Sequence, residues 1–455
     1  MTQTAADSAN LPLDDRVGDE SDRPFHMRGN YAPVPDELTE YDLPVEGAIP
    51  PELDGWYLRN GSNPRSATGH WFVGDGMIHG VRIEGGAAKW YRNRWVRTES
   101  FEHPFGVYNP DGTRNLRSSV ANTHIVNHAG KTLALVESSL PYQITNDLET
   151  VGCYDFDGRL NDSMTAHPKI CPTTGELHFF GYGNLFAPHV SYHRVDADGV
   201  LTVNRPIEVP ALTMMHDFAM SAGHVVFMDL PVVFKLDVIL SGKGDMPFRW
   251  DDDYGARFGV LRRDDPFGEV RWFDVDPCYV FHVANAYDTP DGSVRVQGVR
   301  YPELWRNDGG FGASAVLWEW TLNLQDGTVT ERQLDDRAVE FPRIDDRLAG
   351  MAATYAVSVS DAALVRYDLN TGSSTEHRFG TEETPGGPGE AVFVPSPNGP
   401  ADESNGWYLT FVFDPAHDSS ELVILDAADL AAEPVARIRL PRRVPYGFHG
   451  NWISS

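Results

Sequence analysis

A chain of 455 residues with 41% hydrophobic and 11% aromatic side chains holds one very large core or two to three ordinary ones, since a domain takes roughly 150 residues. Its net charge of −29 disfavours a nucleic-acid partner, because phosphate contacts are made by lysine and arginine, and it favours solubility. Three cysteines, Cys153, Cys171 and Cys278, show no CxxC spacing, so neither a disulfide framework nor a cysteine zinc site is indicated and a reducing cytoplasm fits.

Residues 1–24 are polar and acidic, without a basic start or an apolar run, so a disordered acidic tail is expected there rather than a leader. No run of about 18 apolar residues follows, and the chain is expected to be a soluble cytoplasmic protein. From Leu53 onward short β-type runs alternate with glycine turns: "GWYLRNG", "TLALVE", "LHFFGYG", "HVVFMDL", "VRVQGVRY", "VLWEWTLNLQDGTVTERQL", "ALVRYDLNTGSSTEHRF" and "GWYLTFVFD". The sixth and seventh fold back on "QDG" and "NTG", which supply the positive φ of a tight hairpin turn. Many hairpins with 42 Gly and 32 Pro suit a sandwich, a large barrel or a propeller. A sandwich uses only about 100 residues, whereas roughly six to eight four-stranded blades consume the whole chain. Two segments break the pattern. "SSLPYQITNDLETVG" (138–152) is expected as a proline-broken connection, and "PVVFKLDVILSGKGDMPFRW" (231–250) as an apolar, loop-like insertion of the kind that carries binding function. "TEETPGGPGE" (381–390) reads as a loop into the strand "AVFVPS", so residues 25–455 are expected to form a single domain.

Sixteen histidines are sorted by context. His189 and His193 in "APHVSYH" have the i, i+4 spacing of helical zinc sites, but four residues of strand span about 13 Å, too far for one ion. Four others each stand alone in an apolar strand or strand end: His167 in "MTAHPK", before a proline that ends a strand, His216 in "MMHDF", His282 in "VFHVANAYD" and His449 in "YGFHGNW". If sheets radiate from one axis, residues at their inner ends converge there although distant in sequence. A ring of four neutral imidazoles suits Fe(II), Cu(II) or Zn(II); four separately satisfied core histidines are the alternative.

These contexts, with "LRNGSNP", "HWFVGDGMIHG", "YDFDGRLNDSMTAHPK", "EFPRIDDRLAG" and "GEAVFVPSP", resemble the carotenoid cleavage oxygenase family from about Leu53 to Ile453. The resemblance implies an all-β, seven-bladed propeller with a loop and helix dome over the metal face, and one Fe(II) per chain held on the axis by His167, His216, His282 and His449. It further implies that Glu137, Glu340 and Glu390 stand behind His216, His282 and His449 respectively, each accepting the N–H of a ligating imidazole and so fixing its tautomer. Thr123, in "ANTHIV", matches a position beside an open coordination site; read from the residues alone it is an ordinary strand threonine. The implied reaction is cleavage of a C=C double bond by O2, as co-substrate, to two carbonyl products. No GxGxxG or GxSxG motif points to another cofactor or nucleophile.

Family members that act on 4-hydroxystilbenes carry a lysine just before the first of these glutamates. Here that position is Val136, which favours a carotenoid or apocarotenoid over a stilbene or phenylpropenoid. The implied partner is a hydrophobic small molecule, with transient peripheral membrane contact through "PVVFKLDVIL"; nothing in the sequence sets an oligomeric state. A calcium-dependent propeller hydrolase would need hard oxygen ligands at the axis, and a non-catalytic binding platform would have no use for this set of histidines and glutamates.

Overall fold

The computed structural model describes residues 23–241 and 246–455, so the expected tail lies outside it except for its last two residues. Seven antiparallel sheets radiate as the blades of a propeller. From the axis outward, blade 2 is His124–His128, Lys131–Leu135, Tyr142–Ile144 and Thr150–Cys153. Blade 3 is Lys169–Ile170, Leu177–Tyr182, Val190–Val195 and Leu201–Ile207, and blade 4 is Ala219–Met220, His224–Asp229, Arg257–Arg262 and Arg271–Asp274. Blade 5 runs Tyr279–Asp288, Ser293–Tyr301, Val316–Asn323 and Val329–Gln333, and blade 6 Glu340–Arg343, Tyr355–Ser360, Ala363–Asp368 and Ser374–Arg378.

The remaining two blades share the chain ends. Blade 1 takes its innermost strand, Gly450–Ser454, from the C-terminal region, paired antiparallel with Gly55–Ser62 in the register Arg59 to Gly450. Blade 7, whose central strands are Gly406–Asp414 and Ser419–Asp426, takes its outermost strand, Val45–Gly47, from the N-terminal region. Each end of the chain therefore completes a blade built mainly from the other end.

Strand patterns explain the layers. Outer strands have one wet face and alternate with period two: in Leu201–Ile207, Leu201, Val203 and Ile207 are buried while Thr202 and Asn204 are exposed. Inner strands, covered on both faces, lose the alternation, as in the wholly buried Leu177–Tyr182. Blades pack through aromatic pairs, Phe258 on Trp320 at 5.3 Å between blades 4 and 5 and Tyr57 on Phe411 at 4.9 Å between blades 1 and 7. Burying one such ring contributes ~2–3 kcal/mol.

Two expectations are corrected. Residues 138–152 are not a bare connection: Tyr142–Ile144 and Thr150–Cys153 are the outer strands of blade 2, short enough that their alternation is lost in the sequence. Residues 231–250 are not simply loop-like, since Val232–Phe234 and Phe248–Trp250 pair as a hairpin and Leu236–Leu240 forms a short helix. Residues 242–245 of that segment lie outside the described residues. The glycines of "QDG" and "NTG" do carry positive φ, +84° at Gly327 and +73° at Gly372.

One close approach ties blade 1 to the last histidine. A Cβ on Gly61 would lie 2.8 Å from the Cα of Gly447, backbone against backbone, with no side chain to swing aside. Gly61→Ala should therefore cost ~1–3 kcal/mol, read as a lowered urea midpoint, whereas Gly312→Ala, where nothing lies within 4 Å and φ is not positive, should leave the midpoint unchanged.

Candidate metal centre and substrate cavity

The four histidines of the apolar contexts arrive at the axis from four blades. His167 and His216 immediately precede or lead into the innermost strands of blades 3 and 4, His282 lies within that of blade 5, and His449 immediately precedes that of blade 1. Pro168 opens the strand Lys169–Ile170 rather than ending one; its fixed φ and missing N–H suit a strand start. One ring nitrogen from each histidine lies within 4.8 Å of the other three. All four are buried.

Three of the rings are oriented by carboxylates. His216 Nδ1 donates to Glu137 at 2.8 Å, His282 Nδ1 to Glu340 at 2.5 Å and His449 Nδ1 to Glu390 at 3.0 Å. Two of the carboxylates are themselves held. Tyr301 donates its hydroxyl to Glu340 at 2.8 Å and the Phe341 N–H donates at 2.7 Å. Glu390 accepts from the Gly450 N–H at 2.9 Å and from Arg343 at 3.2 Å. Local backbone irregularity makes this possible. Pairing registers shift around His282 and between Glu340 and Arg343, as bulges commonly do beside sites. Phe341 adopts φ +53°, a conformation costing ~1–3 kcal/mol in a bulky residue. In return its ring stacks on His282 at 5.1 Å.

With Nδ1–H committed outward, the Nε2 of His216, His282 and His449 turns a lone pair inward. His282 Nε2 is buried without a hydrogen-bond partner, and His167 Nε2 stands 2.9 Å from His216 Nε2. Burial and then the neighbouring imidazoles push the protonation of His167 and His449 well below the usual range. Burial would do the same to His282, but Glu340 outweighs it and raises the group. Converging imidazole nitrogens, one of them orphaned, fit a divalent transition metal.

One face of the ring is the floor of a cavity of about 680 Å³. Trp71, Phe72, Phe281, Phe311, Phe341 and Phe448 contribute to its walls, and Thr123 and Val136 lie on it beside the histidines. Thr123 donates its hydroxyl to Asn122 Oδ1 at 2.9 Å, and its carbonyl accepts from the His449 N–H at 3.1 Å. His189 and His193 stay apart from the ring: His193 stacks on Phe179 inside blade 3, and His189 bonds to the Asn184 carbonyl.

A family model described as retinal pigment epithelial membrane protein matches residues 31–454. The chain belongs to this family, the carotenoid cleavage oxygenases. Among the family's curated members, the chain is 38% identical to a carotenoid cleavage oxygenase of Mycobacterium tuberculosis over 95% of its length and 98% of that protein's. It is 36% identical to the carotenoid 9,10(9',10')-cleavage dioxygenase of Crocus sativus, over 95% and 90%. In structure it resembles the family's Pseudomonas brassicacearum lignostilbene dioxygenase, with TM-score 0.85, 29% identity and 94% and 98% coverage. It also resembles cobalt-substituted Synechocystis apocarotenoid oxygenase, with TM-score 0.82, 26% identity and 93% and 97% coverage.

Sequence reasoning passed over two residues at this family site. Arg343 sits in "EFPRIDDRLAG", where arginine beside two aspartates reads as a surface ion pair, and His124 directly follows Thr123 in "ANTHIV". Arg343 also pairs with the exposed Asp346 at 3.0 Å, and this pair together with Glu390 raises its protonation although burial opposes that. Breaking a buried ion pair leaves an uncompensated charge, whereas an exposed pair is worth little. Arg343→Met should lower stability by ~3 kcal/mol in chemical denaturation, and Asp346→Asn by less than ~1 kcal/mol.

Proposed function

We propose that this protein is a non-haem Fe(II) dioxygenase that cleaves one C=C double bond of a carotenoid or apocarotenoid with O2, giving two carbonyl products, with residues 25–455 acting as one catalytic unit. The observation that carries this reading is the ring of His167, His216, His282 and His449, the last three of which form the floor of a mainly apolar cavity. Bound there, Fe(II) would supply O2 activation without a flavin, nicotinamide or 2-oxoglutarate. Four neutral donors leave the ion's charge uncompensated by its ligands, and Glu137, Glu340 and Glu390 offset it from behind.

What the chain's own side chains do follows from their partners. An alkene and O2 give two carbonyls with every atom retained and no net proton gained or lost, and the groups nearest the ring offer no free acid. The Thr123 hydroxyl proton is spent on Asn122 and that of Tyr301 on Glu340. Phe281 and Phe341 flank the rings and keep water away. Position of cleavage then follows from which double bond the cavity holds beside the ring.

Polyene is preferred over stilbene on chemistry. No lysine or arginine is among the cavity's lining residues. Val136 holds the place beside Glu137, and Tyr301 is committed to Glu340, so neither binds nor deprotonates a phenol. The lignostilbene dioxygenase shares the overall fold, which leaves this difference in the pocket untouched.

Among the described residues no helix is long and apolar enough to cross a membrane. A peripheral route for a water-insoluble substrate is supported by the helix Leu236–Leu240, where Leu236 and Leu240 are 59% and 76% exposed. The preceding strand bonds to the segment leading into His216 through Val232 and Met214.

Purified anaerobically with Fe(II) and then exposed to air, the protein should convert an apocarotenal to shorter aldehydes, followed by mass spectrometry, and leave 4-hydroxystilbene intact. His216→Ala should abolish turnover, and Glu137→Ala should reduce it roughly 10–100-fold. Cleavage of the stilbene alone overturns the polyene reading, and inertness of the iron-loaded protein toward both overturns the oxygenase reading.

In cosedimentation, phosphatidylcholine vesicles should retain the protein, with Leu240→Asp reducing the bound fraction several-fold. Anionic vesicles should retain less, given the net charge of −29.

A further inference from the structure

The ring has a second face, and it opens on a second cavity of about 400 Å³. The two cavities share only His282 and His449 among their lining residues. Their chemistry differs: where the first is walled by aromatic rings, the second carries Lys169, Asp217, Arg343 and Glu390. Its lining runs from the exposed Pro172 and Asp346 to His124 beside the ring.

His124 begins the innermost strand of blade 2 and is 9% exposed. Its ring centroid is 5.1 Å from that of His449 and 6.1 Å from that of His167. Its Nδ1 lies 2.8 Å from the Ala166 carbonyl, a pure acceptor, so Nδ1 carries the proton and Nε2 a lone pair. That Nε2 is buried and bonded to nothing, and a buried polar atom without a partner calls for an explanation. His124 is not in the group whose nitrogens lie within 4.8 Å, so it is not a fifth ligand of the same ion.

We propose that the metal ion reaches the ring through this second cavity, with His124 Nε2 as the donor that receives it from water before the four ring nitrogens do. The inference rests on the reading of the ring as the metal centre. Through the aromatic cavity, an aqua-dication would have to shed its water where nothing replaces it. In the polar cavity the fixed cations are already neutralised: Lys169 lies 2.8 Å from the buried Asp217, Arg343 is held between Glu390 and Asp346, and Arg347 pairs with Asp345. His124 therefore presents the incoming ion with a neutral imidazole donor next to its destination, and the route carries no unpaired positive charge.

The test is Co(II) uptake by the full-length, chelator-stripped protein, read in a stopped-flow instrument as growth of the ligand-field absorption. His124→Leu should load roughly tenfold more slowly, the low end of the penalty for removing a metal-site support, yet reach the wild-type final absorbance. His124→Gln, which keeps an oxygen donor, should fall between. Ala349→Trp, a half-buried residue on the lining of the second cavity, tests the route without touching a donor and should also slow uptake; its circular dichroism, with that of His124→Leu, reports folding. Wild-type rates in Ala349→Trp overturn the route, and a wild-type rate in His124→Leu overturns the role of His124. So does slowing by Val136→Trp, on the aromatic side, with both other variants unaffected. Failure of the wild-type protein to bind Co(II) at all overturns instead the metal centre itself.

Discussion

Everything at the centre of this protein depends on one bond type, the donation of an imidazole Nδ1–H to a buried or half-buried carboxylate. It is made three times, by His216, His282 and His449, and each time it decides which nitrogen is left to face the axis. The glutamates in turn need holding, which is why Tyr301, Arg343 and two backbone N–H groups are spent on them. Strain at Phe341 and the register shifts of blades 5 and 6 belong to the same demand, since regular strands would aim these side chains elsewhere.

The ring divides space as well as charge. Toward Thr123 and Val136 the walls are mainly apolar and aromatic; toward Lys169 and Asp217 they are polar and paired. A site that must admit a water-insoluble substrate and a strongly hydrated ion has conflicting solvation requirements, and two cavities meeting at one layer of imidazoles satisfy both.

Much of this was legible in the sequence because the informative residues stand in unmistakable surroundings. A lone histidine in "VFHVANAYD" or "YGFHGNW" is flanked by apolar and aromatic residues that force it inward, and "QDG" and "NTG" announce their hairpins through turn geometry. What escaped lacked such a signal. The strands at 142–144 and 150–153 are too short to show period two. His124 was hidden because its role comes from an unsatisfied nitrogen, a property of three-dimensional packing, and Arg343 because its partner Glu390 is 47 positions away. The carboxylate pairings were available only through family resemblance; no local pattern connects Glu137 to a histidine 79 residues later.

Consider, finally, the way blades 1 and 7 borrow strands from opposite ends of the chain. The histidines at 167, 216, 282 and 449 sit on blades 3, 4, 5 and 1, so the shortest run of blades that holds them all spans blades 1 to 5 and is complete only once the strand Gly450–Ser454 has joined Gly55–Ser62. Folding must pay the entropy of closing the longest loops before the last imidazole arrives. Loss of blade 1, 3, 4 or 5 removes one histidine from the set even where the other three stand correctly. A metal held by all four histidines would thereby be confined to molecules that have finished folding.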